Sequence, residues 1–249
     1  MFNPCSILVP FSLTYVIQYK QKMNPPDNVT AIILAAGKSH RMNGINKMLI
    51  PFKNGPLILH TVSVFHNSPL IQSIILVVSK DLYENVLEIF SGTKWHKITN
   101  IVIGGDRRQD SVKNGLTKTK NAEWVIIHDG ARPFVTNSMI QQGLITAKTS
   151  GSAIAGVPVT DTIKKVEENN VLNTLPRNKL WSIQTPQIFK YEIIKRAYKQ
   201  INNDVTDDST LVEQLGNQVN VFMGSFNNIK LTTVDDINIA KYFFENDIR

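Results

Sequence analysis

Residues 73–78 read Ser-Ile-Ile-Leu-Val-Val, a run without a polar break after its first residue. A strand with one wet face alternates in polarity, so an unbroken aliphatic run of this length marks a strand covered on both sides. The pattern around it is strand-like at Thr30–Leu34, helical at Leu57–His66, helical at Leu82–Phe90 and strand-like at Ile98–Ile103. Helix is predicted again at Gln109–Lys118 and Ser138–Lys148, with strands at Trp124–His128 and Ala153–Val157. Such alternation predicts an α/β fold, a mostly parallel sheet flanked by helices on both faces. Ligands of such sheets bind outside the carboxyl ends of the strands. Three loops fall there: Ala35–Lys47, Gly104–Ser111 and Asp129–Pro133.

The rhythm changes after Val157. Thr160–Val166 and Val171–Leu175 alternate in polarity around Glu167-Glu168-Asn169-Asn170, which predicts a projecting β-hairpin spanning about 158–177. Ile163, Val166 and Leu175 on such an arm require a partner surface. Helices at Tyr191–Gln200 and Ser209–Leu215, a strand at Gln218–Phe222 and a helix at Val234–Glu245 complete the pattern. The breaker cluster Asn24-Pro25-Pro26-Asp27-Asn28 sets residues 1–28 outside the fold, with Met23 as the expected start, and leaves 29–249 as a single domain. In the tail, Lys20 and Lys22 follow the apolar stretch instead of preceding it, and arginine is absent, so neither a secretory nor a transit signal is expected. A cytoplasmic protein without a membrane partner is the reading.

Lys and Arg number 27 against 20 Asp and Glu, a formal charge of +7. The cations are scattered without a basic-aromatic motif, which argues against nucleic acid and for a small polyanion. A single cysteine, Cys5, excludes a disulfide framework and a cysteine-based zinc site. The polyanion site is most legible in Ala31-Ile-Ile-Leu-Ala-Ala-Gly-Lys-Ser-His-Arg-Met42, with Asn46-Lys47 behind it. A strand gives way to the small residues Ala35, Ala36 and Gly37, which let a ligand approach the backbone. Lys38, Arg41 and Lys47 then supply charge. Neither G-x-x-x-x-G-K-[ST] nor G-x-G-x-x-G is present, so the loop belongs to neither of those phosphate-binding types.

Four further segments extend the pattern: Gly104-Gly105-Asp106-Arg107-Arg108-Gln109-Asp110-Ser111-Val112, Ile127-His128-Asp129-Gly130-Ala131-Arg132-Pro133, Trp181-Ser182-Ile183-Gln184-Thr185-Pro186-Gln187-Ile188-Phe189 and Asn228-Ile229-Lys230-Leu231-Thr232. In order and spacing, the five together resemble the 2-C-methyl-D-erythritol 4-phosphate cytidylyltransferase family, from Thr30 to the C-terminus. The resemblance implies a Rossmann-like nucleotidyltransferase (GT-A-like) fold with a dimerisation arm. It also implies transfer of CMP from CTP to the polyol phosphate 2-C-methyl-D-erythritol 4-phosphate, releasing pyrophosphate in the non-mevalonate isoprenoid precursor pathway, with Mg²⁺ or another divalent cation carried mainly by the CTP phosphates.

By match to the family motifs, Arg41 and Lys47 are the catalytic cations. Ala35, Ala36, Gly37 and Gly130 contact the nucleotide, and Gly105, Asp106 and Ser111 read the cytosine. Arg177, Lys230, Thr162, Thr185, Asp129 and Arg132 position the acceptor, with Thr162 and Arg177 serving the neighbouring subunit of a homodimer. Asp129 suits a ribose hydroxyl, the acceptor, or water around Mg²⁺. Asp110 reads equally as a helix N-cap with Ser111 in the first turn, and His128 as a structural imidazole at a strand end. Two residues depart from the family habit, Ser39 in place of glycine and Asn46 in place of proline. The nearest rival is a ribitol-5-phosphate cytidylyltransferase, and the outside alternative a non-catalytic nucleotide-binding regulator.

Overall fold

A computed structural model describes residues 28–37, 46–201 and 203–248. The expected start at Met23, and the loop residues Lys38, Ser39 and Arg41, lie outside the described residues.

In chain order the elements are β1 (Val29–Ala35), β2 (Pro51–Phe52), β3 (Gly55–Pro56), α1 (Leu57–Asn67), β4 (Ser73–Val78), α2 (Tyr83–Ile89), β5 (Ile98–Ile103), α3 (Arg108–Lys118), β6 (Trp124–Asp129), α4 (Asn137–Ser150) and β7 (Ser152–Pro158). There follow β8 (Lys164–Glu167), β9 (Asn170–Thr174), β10 (Trp181–Lys190), α5 (Tyr191–Gln200), α6 (Asp208–Gln214), β11 (Asn220–Met223) and α7 (Val234–Glu245). Seven strands form one sheet in the order β11-β7-β10-β6-β1-β4-β5. Every pairing in it is parallel except those of β10, which runs against both β6 and β7.

The aliphatic runs divide between two cores, one per face. Ile33, Ile74, Leu76 and Ile126 pack on one side, while Ile32, Ile75, Val77, Val125 and Ile127 pack on the other. Each is at most 1% exposed. Two dry faces explain why β4 has no polar alternation, and each aliphatic side chain so buried contributes about 1.5–3 kcal/mol. Helix α3 sits close on the sheet because residue 115 is glycine: a Cβ there would stand 2.7 Å from Ile32 Cγ2. That proximity brings the first turn of α3 over the carboxyl ends of the strands.

β10 was expected only as a motif, and its antiparallel insertion is the main addition to the expected parallel sheet. Its register against β7 shifts between Ile183 and Gln187. The shift falls at Gln184-Thr185-Pro186, where continuous alternation would otherwise have signalled a strand. The arm forms as expected, with shorter strands: β8 and β9 turn at Glu168 and Asn169, whose φ angles of 47° and 66° suit a two-residue hairpin turn. Val166, Val171 and Leu172 lie open at 53%, 60% and 50% exposure, whereas Ile163 and Leu175, expected to need a partner surface, are already half-buried at the root of the arm.

Candidate active site

Register alone assembles the site. Leu34 lies opposite both Val77 and Asp129, so the loops after β1 and β6 leave the sheet side by side. Gly130 N–H donates to the Leu34 carbonyl (2.8 Å) and Gly104 N–H to the Val78 carbonyl (2.8 Å), which ties three loops to one edge. Between them opens a cavity of about 400 Å³, walled by Ala35, Ala36, Gly37, Lys47, Gly105 and Asp106 among others. A second cavity, of about 250 Å³, adjoins it and is lined by Arg132, Gln184, Thr185 and Gln187. Arg108, Asp129 and Lys230 line both.

Lys47 opens a short 3₁₀ turn after Asn46, whose side chain accepts from Met48 N–H (3.1 Å). Asn46 therefore does by hydrogen bonding what a proline there does by restricting φ. Lys47 Nζ donates to the Leu231 carbonyl at 2.8 Å, which fixes the ammonium beside the loop that carries Lys230.

On the opposite wall, Ser111 Oγ accepts from Gly105 N–H (3.1 Å) and donates to the Arg107 carbonyl (3.2 Å). Ser111 thus shapes the loop as well as facing the cavity. Gly104 is the more constrained of the two glycines towards the loop after β1, since a Cβ there would lie 2.4 Å from Ala36 Cβ. Asp110 is not the N-cap of α3. Arg107 takes that position, and Asp110, three residues on, accepts the Arg107 backbone N–H (3.2 Å) and its guanidinium (2.8 Å). The Arg107 hydrogen bonds hold the Asp110 carboxyl below its ordinary value.

Asp129 is the electrostatic centre. Its Oδ2 meets Lys230 Nζ at 2.8 Å and Arg132 Nε at 3.8 Å, and its Oδ1 meets Arg108 Nε at 3.3 Å. Burial alone would raise this carboxyl, but Arg108 and then Lys230 hold it well below the usual range. Asp129 stays ionised and accepts hydrogen bonds. Arg132 also donates to the Asn228 carbonyl at 2.7 Å. Asn228 in turn donates to Gln184 Oε1 (3.1 Å) and to the Thr185 carbonyl (2.9 Å), joining β10 to the Lys230 loop.

Behind this set, His128 is fully buried, and burial pushes its imidazole down to about 4. Its Nε2 lies 3.0 Å from the Arg132 carbonyl, which can only accept, so Nε2 carries the proton. Nδ1 is then an acceptor for the Thr185 hydroxyl at 3.1 Å, and that hydroxyl accepts Asp129 N–H at 3.0 Å.

The backbone of Gly130 is occupied within the protein, its carbonyl accepting from Thr61 Oγ1 at 2.8 Å. A Cβ at Gly130 would press on the Leu34 carbonyl at 3.0 Å, so the glycine provides clearance. Thr162 and Arg177 line neither cavity: both sit on the exposed arm, where Arg177 donates to the Thr160 carbonyl at 2.7 Å. Sequence reasoning missed Arg108 and its buried partner Asp208, 2.8 Å away. Arg107-Arg108 and Asp207-Asp208 are like pairs, and only the start of a helix decides which member of each turns inward. Among the described residues no cluster of three or more His, Cys, Asp or Glu side chains suits a metal ion.

Comparison with known proteins bears on the family and the fold. The family model for 2-C-methyl-D-erythritol 4-phosphate cytidylyltransferase (IspD) matches residues 29–246. A protein of that name from Dehalococcoides mccartyi is 44% identical over 216 residues, covering 86% of this chain and 95% of its own. Another, from Clostridium novyi, is 44% identical over 227 residues, covering 87% of this chain and 96% of its own. Among solved structures, the 4-diphosphocytidyl-2C-methyl-D-erythritol synthase from Anaerococcus prevotii superposes with a TM-score of 0.78 at 28% identity, over 88% of this chain and 99% of that one.

Proposed function

The chain belongs to the 2-C-methyl-D-erythritol 4-phosphate cytidylyltransferase family, and from that premise we propose how its residues divide the work. The reaction is transfer of CMP from CTP to 2-C-methyl-D-erythritol 4-phosphate, a step of isoprenoid precursor synthesis. An acceptor phosphate oxygen bonds to the α-phosphorus of CTP, the bond from that phosphorus to the bridging oxygen breaks, and pyrophosphate leaves with the electron pair. The nucleophile is anionic at neutral pH, so no general base is required. What remains is to bring two anions together and to hold the charge on the α-phosphate.

The single observation that carries this division is the wall common to the two cavities, where Arg108, Asp129 and Lys230 meet. On this reading the larger cavity holds CTP and the smaller holds the acceptor, so that the reacting atoms meet at that wall. Ala35, Ala36, Gly37 and Gly105 offer backbone to the nucleotide, with Asp106 and Ser111 towards the cytosine. Lys47, fixed by the Leu231 carbonyl, and Arg41 bear on the triphosphate. Lys230, Arg132 and Thr185 position the acceptor, and Asp129 orients Lys230 while accepting a substrate hydroxyl. Mg²⁺ is carried mainly by the CTP phosphates on this reading, with Asp129 on the cavity wall able to hold water around it. When bound it neutralises triphosphate charge.

The arm, with three open apolar side chains, seats on a second copy, which delivers Thr162 and Arg177 to the neighbour's acceptor cavity. Residues 29–249 form one domain working in the cytoplasm as a homodimer. The test is pyrophosphate release from CTP and Mg²⁺ with methylerythritol phosphate and ribitol 5-phosphate in parallel. Turnover with the former alone supports the reading. Turnover with ribitol 5-phosphate instead overturns the acceptor assignment, and CTP binding without turnover on either overturns the catalytic roles.

A further inference from the structure

A relay of alternating charge, buried at its Tyr198–Asp208 end and open at Lys230, runs from α5 to the shared wall. Tyr198 donates its hydroxyl to Asp208 Oδ1. Asp208 Oδ2 meets Arg108 Nη1 at 2.8 Å, Arg108 Nε meets Asp129 Oδ1 at 3.3 Å, and Asp129 Oδ2 meets Lys230 Nζ at 2.8 Å. Asp208 is 0% exposed and Tyr198 8%. Neither lines either cavity, whereas Arg108 lines both.

Stability is a poor reason for this arrangement. Burying ions costs several kcal/mol each, and replacing a buried pair by apolar groups is often neutral or favourable. Helix capping is no better a reason, since Asp207 already caps α6 by accepting Thr210 N–H at 3.1 Å. What Asp208 does is compete. Arg108 sits between two carboxylates and is held closer to the one remote from substrate. Without that hold, the guanidinium is free to close on Asp129 through both of its edges, drawing the carboxylate away from Lys230.

We propose that Asp208 and Tyr198 are positioning residues that act through Arg108. They divide its guanidinium between two carboxylates, so that Asp129 keeps the orientation in which it orders Lys230 against the acceptor. The Tyr198 hydroxyl restrains Asp208 on its far side, which keeps that carboxylate turned towards Arg108. Burial pushes the Asp208 carboxyl up, while Arg108 and the Tyr198 hydroxyl oppose it. This rests on the assignment of the smaller cavity to the acceptor.

The test is steady-state pyrophosphate release by the full chain with CTP, Mg²⁺ and methylerythritol phosphate. Tyr198→Phe and Asp208→Asn are measured alone and combined with Arg108→Gln. Tyr198→Phe keeps the ring and removes one hydroxyl, so it provides a folded variant even if Asp208→Asn does not. Expected losses in kcat/KM for the acceptor are about tenfold for Tyr198→Phe and about a hundredfold for Asp208→Asn. KM for CTP is expected to change by less than about threefold, and neither substitution to lower the activity of Arg108→Gln further. Unchanged constants for Tyr198→Phe overturn the proposal. So does a loss that persists in full beside Arg108→Gln, or one that tracks the unfolded fraction. Lys230→Ala in the same assay separates the two assignments: if it leaves acceptor KM unchanged, the cavity assignment has failed, whereas a raised acceptor KM beside a silent Tyr198→Phe defeats the relay alone.

Discussion

His128 links the pH dependence of stability to the geometry of Asp129, and His128→Gln isolates it. The imidazole is fully buried, with Nδ1 accepting from Thr185 and Nε2 donating to the Arg132 carbonyl. A proton on Nδ1 has nowhere to point except at the Thr185 hydroxyl, whose hydrogen already occupies that line. Burial accordingly lowers the group from 6.5 to about 4. A depressed histidine stabilises the fold above its unfolded value, and that contribution is lost as pH falls towards the folded value. The difference from 6.5 to about 4 corresponds to about 3 kcal/mol, most of which is lost by pH 4.5. Glutamine is neutral throughout and keeps an amide donor and acceptor. It loses ring packing against Phe65, whose centroid lies 5.0 Å away, so the variant starts less stable at pH 7.5 by about 1–3 kcal/mol. The stability gap is then expected to close by about 2–3 kcal/mol between pH 7.5 and 4.5. Urea unfolding at constant ionic strength, followed by tryptophan fluorescence, measures it. His66, also lowered by burial, is common to both proteins and cancels. A gap that stays constant or widens on acidification would refute the assigned tautomer and the neutral ring.

The cations are expected to separate by function. Lys47→Ala abolishes turnover with CTP still bound in equilibrium dialysis, while Lys230→Ala and Arg177→Ala raise acceptor KM by about tenfold or more. Gly104→Ala places a methyl 2.4 Å from Ala36 Cβ and 2.6 Å from Ser111 Oγ. The expected cost is about 1–3 kcal/mol in urea unfolding, together with weaker CTP binding by titration calorimetry. Val166→Asp with Val171→Asp, register partners on one face, charges that face of the arm. Sedimentation velocity is expected to show a monomer that binds CTP without turning over.

The parts of the fold that were legible are those in which one segment decides its own environment. Ser73–Val78 carries its two-sided burial in six letters, and the breaks at the glycine-bearing loops place the site at the carboxyl edge. β10 was harder to see. Gln184, Thr185 and Gln187 are polar yet at most 7% exposed, because they serve the site from inside the sheet, and polar letters in sequence read as surface. The relay was invisible for another reason: Tyr198, Asp208 and Arg108 come from three helices, and no local pattern reports the pairing of Arg108 with Asp208, far apart in the chain. Asp110 shows the smaller version of the problem, since capping chemistry fixes a helix start only to within a turn.

The arm leaves β7 after Pro158 and rejoins the sheet at Trp181, and these two residues are register partners. The ends of the excursion are therefore pinned side by side by the sheet itself, whatever lies between them. A two-stranded ribbon with every strand residue open has little to hold it in water by itself. The sheet specifies where it begins and ends, and the homodimer proposed above supplies the surface that covers it. Changes of sequence within the β8–β9 ribbon therefore leave the core untouched, and the register pair at its root holds the arm in place.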